Sequence, residues 1–328
     1  MVNIINKAIH VLSGILSFIN VLIKQIFSIS EIDGHRVIYV LGFHIRSKIK
    51  KGAIQNNITE YGLNSNRRKI PIIASLTTFP DRINTVKETI KTLLKQTCKP
   101  DELILWLAKE QFPQGEESLP QDLLALKEYG LSIKWCKDYK SYKKLIPALK
   151  EYPNDIIITF DDDIYYGNNV VELLYNSYLE NPNCISTNRS SRLHFIFNKI
   201  WILKTAFSYW TKYKDATYKN SIIGCGGVLY PPHSLHNEVL NDENFMNIIP
   251  TQDDVWFWTM AIMNNTPIKV VAGYDIELLT VENTQQYGLC KINRKGSKGM
   301  GAKDGFNKIV CFYPEIVSHI KKFRRNNV

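Results

Sequence analysis

The segment IIITFDDDIYY, residues 156–166, joins five β-branched and aromatic residues to three consecutive carboxylates. Such an apolar run predicts a strand that is buried on both faces, as in a parallel sheet covered by helices. In open α/β sheets, ligands bind beyond the carboxyl ends of the strands. The three aspartates are therefore predicted to lie at a ligand-binding edge.

Three adjacent carboxylates repel one another unless a cation or a set of hydrogen-bond donors neutralises them. Asp161 and Asp163 have the Asp-x-Asp spacing that can present two carboxylates to one metal. Oxygen ligands favour Mg²⁺ or Mn²⁺ over zinc. The alternative is a solvated acidic turn after the strand, but such a turn would not need a buried strand before it. We therefore predict a divalent ion at Asp161 and Asp163 that bridges to a phosphorylated substrate.

The composition indicates a folded protein that binds a phosphate-bearing partner. The 328 residues are 45% hydrophobic and 22% charged, which excludes global disorder. Lys and Arg number 41 against 31 acids, a net charge of +10 that suits a nucleotide, a nucleic acid or an anionic membrane. Basic clusters at 46–51 and 321–325 favour membrane contact, and we find no nucleic-acid motif. Six scattered cysteines without zinc spacing suggest free thiols in a reducing cytosol.

Three domains are predicted: an N-terminal region over 1–69, a main domain over 70–310 and a basic tail over 311–328. Residues 4–29 are apolar but interrupted by polar side chains, which favours an amphipathic helix lying on a membrane. A helix packed on a protein and a membrane span are the alternatives. Residues 37–45 predict a hairpin turning at Gly42, and 52–69 a linker. A signal peptide is not expected, because a charged leader and a cleavage site are missing.

The main domain alternates predicted strands with predicted helices. Strands are expected at 70–78, 102–108, 131–136 and 156–160, and helices at 83–94, 119–130, 143–152 and 170–179. This alternation predicts an α/β fold, with parallel strands joined by right-handed crossovers and a sheet flanked by helices. Neither G-x-G-x-x-G nor a P-loop occurs, so a dinucleotide site and a Walker-type NTPase are not supported.

Three later segments contain further candidate residues. GCGGVLYPP, residues 224–232, places Gly226 and Gly227 where a close backbone approach or a positive φ is expected, with a strand bulge as the alternative. Asp253 and Asp254 open an apolar helix, where helix capping alone could explain them. The Gly- and Lys-rich segment 294–304 could close over a pyrophosphate or be solvated.

Five segments in this order resemble family 2-like glycosyltransferases of the GT-A fold, in particular bacterial enzymes of surface polysaccharide biosynthesis. They are SLTTFPDR (75–82), LLKQTCKPDELILWLA (93–108), the segment 140–166, GCGGVLYPP (224–232) and QDDVWFWTMA (252–261). The resemblance covers about residues 70–304. It implies a Rossmann-like nucleotide-binding sheet and an inverting, hexosyltransferase-like enzyme that moves a sugar from a nucleotide-diphosphate sugar to a hydroxyl of a surface glycan or lipid-linked acceptor.

The resemblance also implies roles for particular residues. Asp161 and Asp163 would hold Mn²⁺ or Mg²⁺ on the diphosphate, and Asp254 or Asp253 would be the catalytic base. The loop 77–82 would line the nucleotide, and Asp138 would lie near its base or ribose. The expected substrate-binding residues are Thr77, Phe79, Arg82, Asp138, Lys143, Lys144, Asp162, Gly226, Gly227 and Trp256.

The chemistry of sugar transfer agrees with these roles. A departing diphosphate needs its charge neutralised, and inversion needs one base on the acceptor side. Trp256 could stack on a sugar, although core packing is the alternative. A metal-dependent nucleotidyltransferase and a non-catalytic glycan-binding protein are the rival functions, the latter favoured by the aromatic residues of 193–218. The expected location is cytoplasmic and peripheral at the inner face of the cell membrane, and no nucleic-acid partner is expected.

Overall fold

In the computed structural model, the described residues are 27–32, 35–40, 43–48, 60–196, 199–203, 215–271, 279–289, 293 and 301–325. The chain divides into two units, of which the first comprises residues 1–58 with 209–211 and the second comprises the rest. Among the described residues, no helix is long and apolar enough to cross a bilayer.

The first unit contains a three-stranded antiparallel sheet. Its strands are β1 (Phe27–Ile32), β2 (His35–Val40) and β3 (Phe43–Lys48), paired in that order. β2 and β3 form the hairpin that the sequence predicts around residues 41–42. The helix expected over 4–29 does not reach its predicted end, because residues 27–32 form a strand that pairs with β2. The rest of that predicted helix, residues 4–26, lies outside the described residues.

Four parallel strands begin the central sheet of the second unit. They are β4 (Ile72–Thr77), β5 (Glu102–Ala108), β6 (Leu131–Cys136) and β7 (Ile156–Thr159). β4 lies between β7 and β5, and β6 pairs with the outer side of β5. Ile156, Ile157 and Ile158 are at most 1% exposed, so the predicted burial of β7 on both faces is confirmed.

The sheet continues beyond β7 with strands of mixed direction. β9 (Ile185–Thr187) and β12 (Val228–Tyr230) are antiparallel neighbours, and β12 also runs antiparallel to β7. β13 (Ile268–Val270) pairs in parallel with β9 and completes the order β13-β9-β12-β7-β4-β5-β6. Two short pairs lie outside this sheet: β8 (Ile164–Tyr165) with β14 (Leu279–Thr280), and β10 (Arg192–Ile196) with β11 (Lys199–Leu203).

Helices cover both faces of the sheet. The α-helices are α1 (Val86–Leu94), α2 (Gln121–Leu124), α3 (Ile146–Glu151), α4 (Val170–Glu180), α5 (Asp242–Ile248), α6 (Asp253–Met263), α7 (Ala302–Phe312) and α8 (Glu315–Arg325). Alternate strand residues belong to two different cores: Ile157 packs with residues of α3 and α6, whereas Ile156 and Ile158 pack with residues of α1 and α4. The predicted α/β fold, a central sheet flanked by helices, is confirmed.

Two predicted helices are broken by local chemistry. Over 119–130, α2 passes into a 3₁₀ turn, Ala125–Tyr129, which ends at Gly130 with φ +105°. Over 143–152, a 3₁₀ turn, Lys140–Lys144, precedes α3, whose first turn contains Pro147. The predicted basic tail contains α8, and its residues Ile316 and Ile320 are buried in the same core as α6.

Candidate active site

The candidate site lies at the carboxyl ends of β4 and β7. Because these strands are parallel neighbours, the residues that follow them meet at one edge of the sheet. Thr78, after β4, donates its hydroxyl to Asp162, after β7, at 2.5 Å. The amino end of α6 and the 3₁₀ turn Gly224–Gly226 complete the site through their contacts with Asp161 and Lys144. The aspartates thus lie at the edge of the sheet where ligands are expected.

The three consecutive aspartates contact two different cations. Asp161 pairs with Lys144 at 2.9 Å, whereas Asp162 and Asp163 pair with Arg82 at 2.6 and 3.0 Å. The Asp-x-Asp spacing predicted that Asp161 and Asp163 present their carboxylates to one metal. The chain turns at residues 162–163, so Asp161 and Asp163 diverge.

Arg82 is a buried anchor for the loop after β4. Its guanidinium holds Asp162 and Asp163 and donates to the Thr284 carbonyl at 3.1 Å, and its side chain is 9% exposed. Asp163 also accepts a hydrogen bond from Gln285 at 2.9 Å. Burial and the charge of the neighbouring aspartates raise the pKa of Asp163 to about 6, against the opposing effect of Arg82. The Arg82 cluster therefore ties the first loop to the segment 284–285.

Lys144 lies at the centre of a second cluster. Its ammonium is 2.9 Å from Asp161, 2.8 Å from Asp253 and 3.4 Å from Asp254. The Lys144 backbone carbonyl accepts a hydrogen bond from the Ser75 hydroxyl at 2.6 Å, which fixes the 3₁₀ turn against β4. The side chain of Lys144 is only 6% exposed. One buried cation is thus shared by three carboxylates, an arrangement called the Lys144 cluster below.

The structure distinguishes the two candidate bases. Asp253 is buried and accepts a hydrogen bond from the Ser141 hydroxyl at 2.9 Å as well as contacting Lys144. Asp254 accepts a hydrogen bond from the Gly224 backbone N–H at 2.8 Å, and 30% of its side chain is exposed. Burial raises the pKa of Asp254 to about 7, with Lys144 opposing the rise and the charges of Asp253 and Asp161 adding to it. Asp254 is the carboxylate that a substrate can reach.

The glycine segment touches the Lys144 cluster directly. A Cβ atom at Gly224 would lie 2.6 Å from the Lys144 ammonium and 2.7 Å from an Asp254 oxygen. A Cβ atom at Gly226 would lie 2.7 Å from Arg189 Cγ, and Gly227 has φ +83°. The expected close approach and positive φ are both confirmed, and these glycines precede β12 rather than form a bulge within it.

Arg189 is a cation of the site that sequence reasoning missed. It is half-buried, packs over Gly226 and lies 3.5 Å from the Cys225 sulfur. Burial raises the pKa of the Cys225 thiol to about 12, so the thiol is neutral. Arg82 and Lys144 are each ion-paired, but Arg189 has no carboxylate partner in the described part of the chain. The usable signal was an arginine two residues after the end of the buried strand β9.

Lys143 and Asp138 form a separate pair. The Lys143 ammonium is 2.7 Å from Asp138 and 3.2 Å from the Gln111 side chain. The Thr77 hydroxyl donates to the Trp106 carbonyl at 2.8 Å. Phe79 is half-buried, with its ring centre 6.4 Å from that of Tyr287. The structure therefore does not bring Lys143 into the Lys144 cluster, although the two lysines are adjacent in sequence.

Trp256 is a core residue. It is fully buried, and its indole N–H donates to the Val239 carbonyl at 3.3 Å. Trp258 is 1% exposed and donates to the Tyr218 carbonyl at 2.9 Å. Almost every residue of α6 after Asp254 is buried, so neither ring offers a free face. The expectation that Trp256 stacks on a sugar is not supported by this packing.

The predicted metal site does not fit the arrangement of these side chains. Within the residues that the structure describes, no three His, Cys, Asp or Glu side chains are placed to hold a metal ion. Asp161 contacts Lys144, and Asp163 contacts Arg82 and Gln285. Each carboxylate of the predicted pair thus has a different neutralising partner.

No protein-family model matches the chain, and no curated protein matches it. Similar solved structures include a cytidylyltransferase from Leptospira borgpetersenii, 14% identical with a TM-score of 0.38, over 76% of this chain and 96% of that one. Another is the CMP:2-keto-3-deoxy-manno-octonic acid synthetase complexed with CTP, 12% identical with a TM-score of 0.38, over 63% and 90%. GalNAc-T7 with UDP, GalNAc and Mn²⁺ is 8% identical with a TM-score of 0.40, over 64% and 46%.

Proposed function

We propose that the protein is a glycosyltransferase that moves a sugar from a nucleotide-diphosphate sugar to an acceptor hydroxyl with inversion. The observation that carries the proposal is the meeting of Asp254 and Asp161 at one ammonium, on the ligand-binding edge of the sheet. An accessible carboxylate thus lies beside the strand end where a nucleotide would bind.

Asp254 is the proposed general base. The Gly224 N–H holds the carboxylate in place, and its raised pKa suits proton transfer near neutral pH. The acceptor oxygen attacks the anomeric carbon while Asp254 takes the hydroxyl proton. The bond from that carbon to the diphosphate oxygen breaks on the opposite face, which inverts the configuration. Asp253 has a positioning role, because it is buried and holds Lys144.

Arg189 is the proposed partner of the departing diphosphate. Guanidinium groups bind phosphate oxygens with paired hydrogen bonds, and Arg189 has no carboxylate partner among the described residues. Lys144 lies against Gly224 at the other end of the same turn, and its charge is already shared by three carboxylates. The Mn²⁺ or Mg²⁺ expected at Asp161 and Asp163 has no step in this proposal, because both carboxylates have cationic partners.

The nucleotide is proposed to lie along the loop after β4. Thr77 and Phe79 are half-buried there, and the Phe79 ring offers an aromatic edge near Tyr287. Asp138, 31% exposed and paired with Lys143, remains the proposed contact to the base or ribose.

The acceptor is proposed to be a surface glycan or a lipid-linked glycan. The net charge of +10 supports contact with an anionic membrane, and the proposed location is the inner face of the cell membrane. We propose that the transferase domain starts at residue 70 and that the region before it, residues 1–69, contacts the membrane.

The test is incubation of the full chain with a panel of nucleotide-sugars and acceptor glycans. Release of a nucleoside diphosphate with a glycosylated product is expected. Release of pyrophosphate from a nucleoside triphosphate would instead identify a nucleotidyltransferase, and glycan binding without turnover a binding protein.

Asp254→Asn should lower kcat by about 100-fold or more, the usual contribution of a general base. Asp242→Asn is the matched control, because Asp242 also lies in the first turn of a helix but pairs with the exposed Lys137 instead of Lys144. Full activity of Asp254→Asn would refute the assignment of the base.

A further inference from the structure

The Lys144 cluster has the form of a cation site whose cation is part of the chain. Asp161 comes from the end of β7, and Asp253 and Asp254 come from the start of α6. Their oxygens surround one ammonium at 2.8–3.4 Å. The ammonium donates hydrogen bonds to Asp161 and Asp254 and forms an ion pair with Asp253 at 2.8 Å.

The same oxygens are too far from the centre of the cluster to be ligands of a divalent ion at that point. Mg²⁺ binds oxygen at about 2.0–2.1 Å and Ca²⁺ at about 2.3–2.6 Å. Gly224 closes another side, because even a Cβ atom there would be 2.6 Å from the ammonium. A metal could enter only after the Lys144 side chain had left.

Asp163 is not available to complete a metal site with Asp161. It is buried, ion-paired with Arg82 at 3.0 Å and hydrogen-bonded to Gln285 at 2.9 Å. Turning its carboxylate toward Asp161 would break both contacts and leave a buried guanidinium with one partner fewer. Both carboxylates of the predicted pair are thus held by protein cations.

We propose that Lys144 is the resident cation of the site and that a nucleoside diphosphate binds without a divalent metal. The proposal reverses the expectation from the Asp-x-Asp spacing. The part that concerns the nucleotide rests on the proposed function, whereas the part that concerns the cation does not.

The first experiment measures Mn²⁺ binding alone, from the free-ion EPR signal of Mn²⁺ titrated into the full chain. The wild type should show no saturable binding. Lys144→Gln should show saturable Mn²⁺ binding, since three carboxylates lose their cation. Lys143→Gln is the matched control: it removes a neighbouring buried lysine that holds Asp138 instead, and should behave as the wild type.

Two results would overturn the resident-cation proposal. One is saturable Mn²⁺ binding by the wild type that Asp161→Asn abolishes, and the other is a folded Lys144→Gln protein that binds Mn²⁺ no better than the wild type. If circular dichroism shows that Lys144→Gln does not fold, the comparison of wild type with Asp161→Asn decides. Equal, non-saturable signals from those two proteins support the proposal.

The second experiment measures the Kd of UDP, GDP, CDP and dTDP by calorimetry, with EDTA or with Mn²⁺. The Kd of the nucleotide that binds should agree within about threefold between the two conditions. A gain of about tenfold or more with Mn²⁺ that is lost in Asp163→Asn would refute metal-free binding. If no nucleotide binds in either condition, the proposed function fails, and the Mn²⁺ titration still decides the role of Lys144.

Discussion

Replacing Gly224 by alanine should disable the site while leaving the fold intact. Gly224 has no positive φ, so the backbone itself does not oppose a side chain there. The new Cβ would lie 2.6 Å from the Lys144 ammonium and 2.7 Å from an Asp254 oxygen, and ordinary contact begins near 3.4 Å. Both groups must therefore retreat by about 0.7–0.8 Å, the difference between these distances.

The expected stability loss is small, but the activity loss is large. Overpacking costs about 1–3 kcal/mol, and the stiffer unfolded chain returns about 0.4–1 kcal/mol. The net fall in the free energy of unfolding should be about 1–2 kcal/mol. Moving a catalytic carboxylate by nearly 1 Å can cost about 100-fold in rate, so kcat should fall by that order.

Urea denaturation and release of nucleoside diphosphate measure the two effects. Gly301→Ala is the control, because a Cβ atom there would meet its nearest neighbour, Asp304, at 3.5 Å. Gly301 precedes α7, so its replacement should change stability by about 1 kcal/mol at most, which makes it the control for the urea measurement. A Gly224→Ala protein with the wild-type kcat would show that Lys144 and Asp254 need not stay where the structure places them.

Four further predictions concern the charged groups. Burial raises the pKa of Asp254 to about 7, so kcat/KM should rise up to about pH 7 as the base form appears. The folded protein retains a proton on Asp254 that the unfolded chain releases near pH 4, so the free energy of unfolding should fall between about pH 4 and 7. In urea titrations, the Asp254→Asn protein should lack the part of this fall that Asp254 causes. Arg82→Met should lower the free energy of unfolding by about 3–5 kcal/mol, since two buried carboxylates lose their partner; thermal unfolding with an unchanged midpoint would contradict this. Arg189→Ala should weaken binding of nucleoside diphosphates by about tenfold or more in calorimetry without affecting nucleosides, and Arg192→Ala, which removes a guanidinium already paired with Asp215, is the control.

Continuous apolar runs made the parallel half of the sheet predictable. The three isoleucines of β7 can only be buried on both faces, and strands with that property belong to a sheet covered by helices. The direction of β12 was not predictable, because three apolar residues after a glycine turn have no local preference for parallel or antiparallel pairing. Its direction is set by β7 and β9, which are distant in sequence.

The site was predictable as a location but not as a set of contacts. The end of a predicted strand indicated where Asp161 and Asp163 would lie, and the start of a predicted helix indicated where Asp254 would lie. The sequence did not indicate that the chain turns at residues 162–163, so that the carboxylates of Asp161 and Asp163 contact different cations. Arg189 has no motif around it, and only the packing over Gly226 reveals its place.

The strand order has a consequence for synthesis on the ribosome. The outer edge of β7 is covered by β12, which follows α4, β9 and the β10–β11 pair in the chain. Until Val228–Tyr230 leave the exit tunnel, a nascent chain that has already assembled β4–β7 presents the outer edge of β7 without a partner strand. Such open edges are where unfinished chains associate, so translation pauses after β7 has left the tunnel and before β12 has left it should increase aggregation more than later pauses.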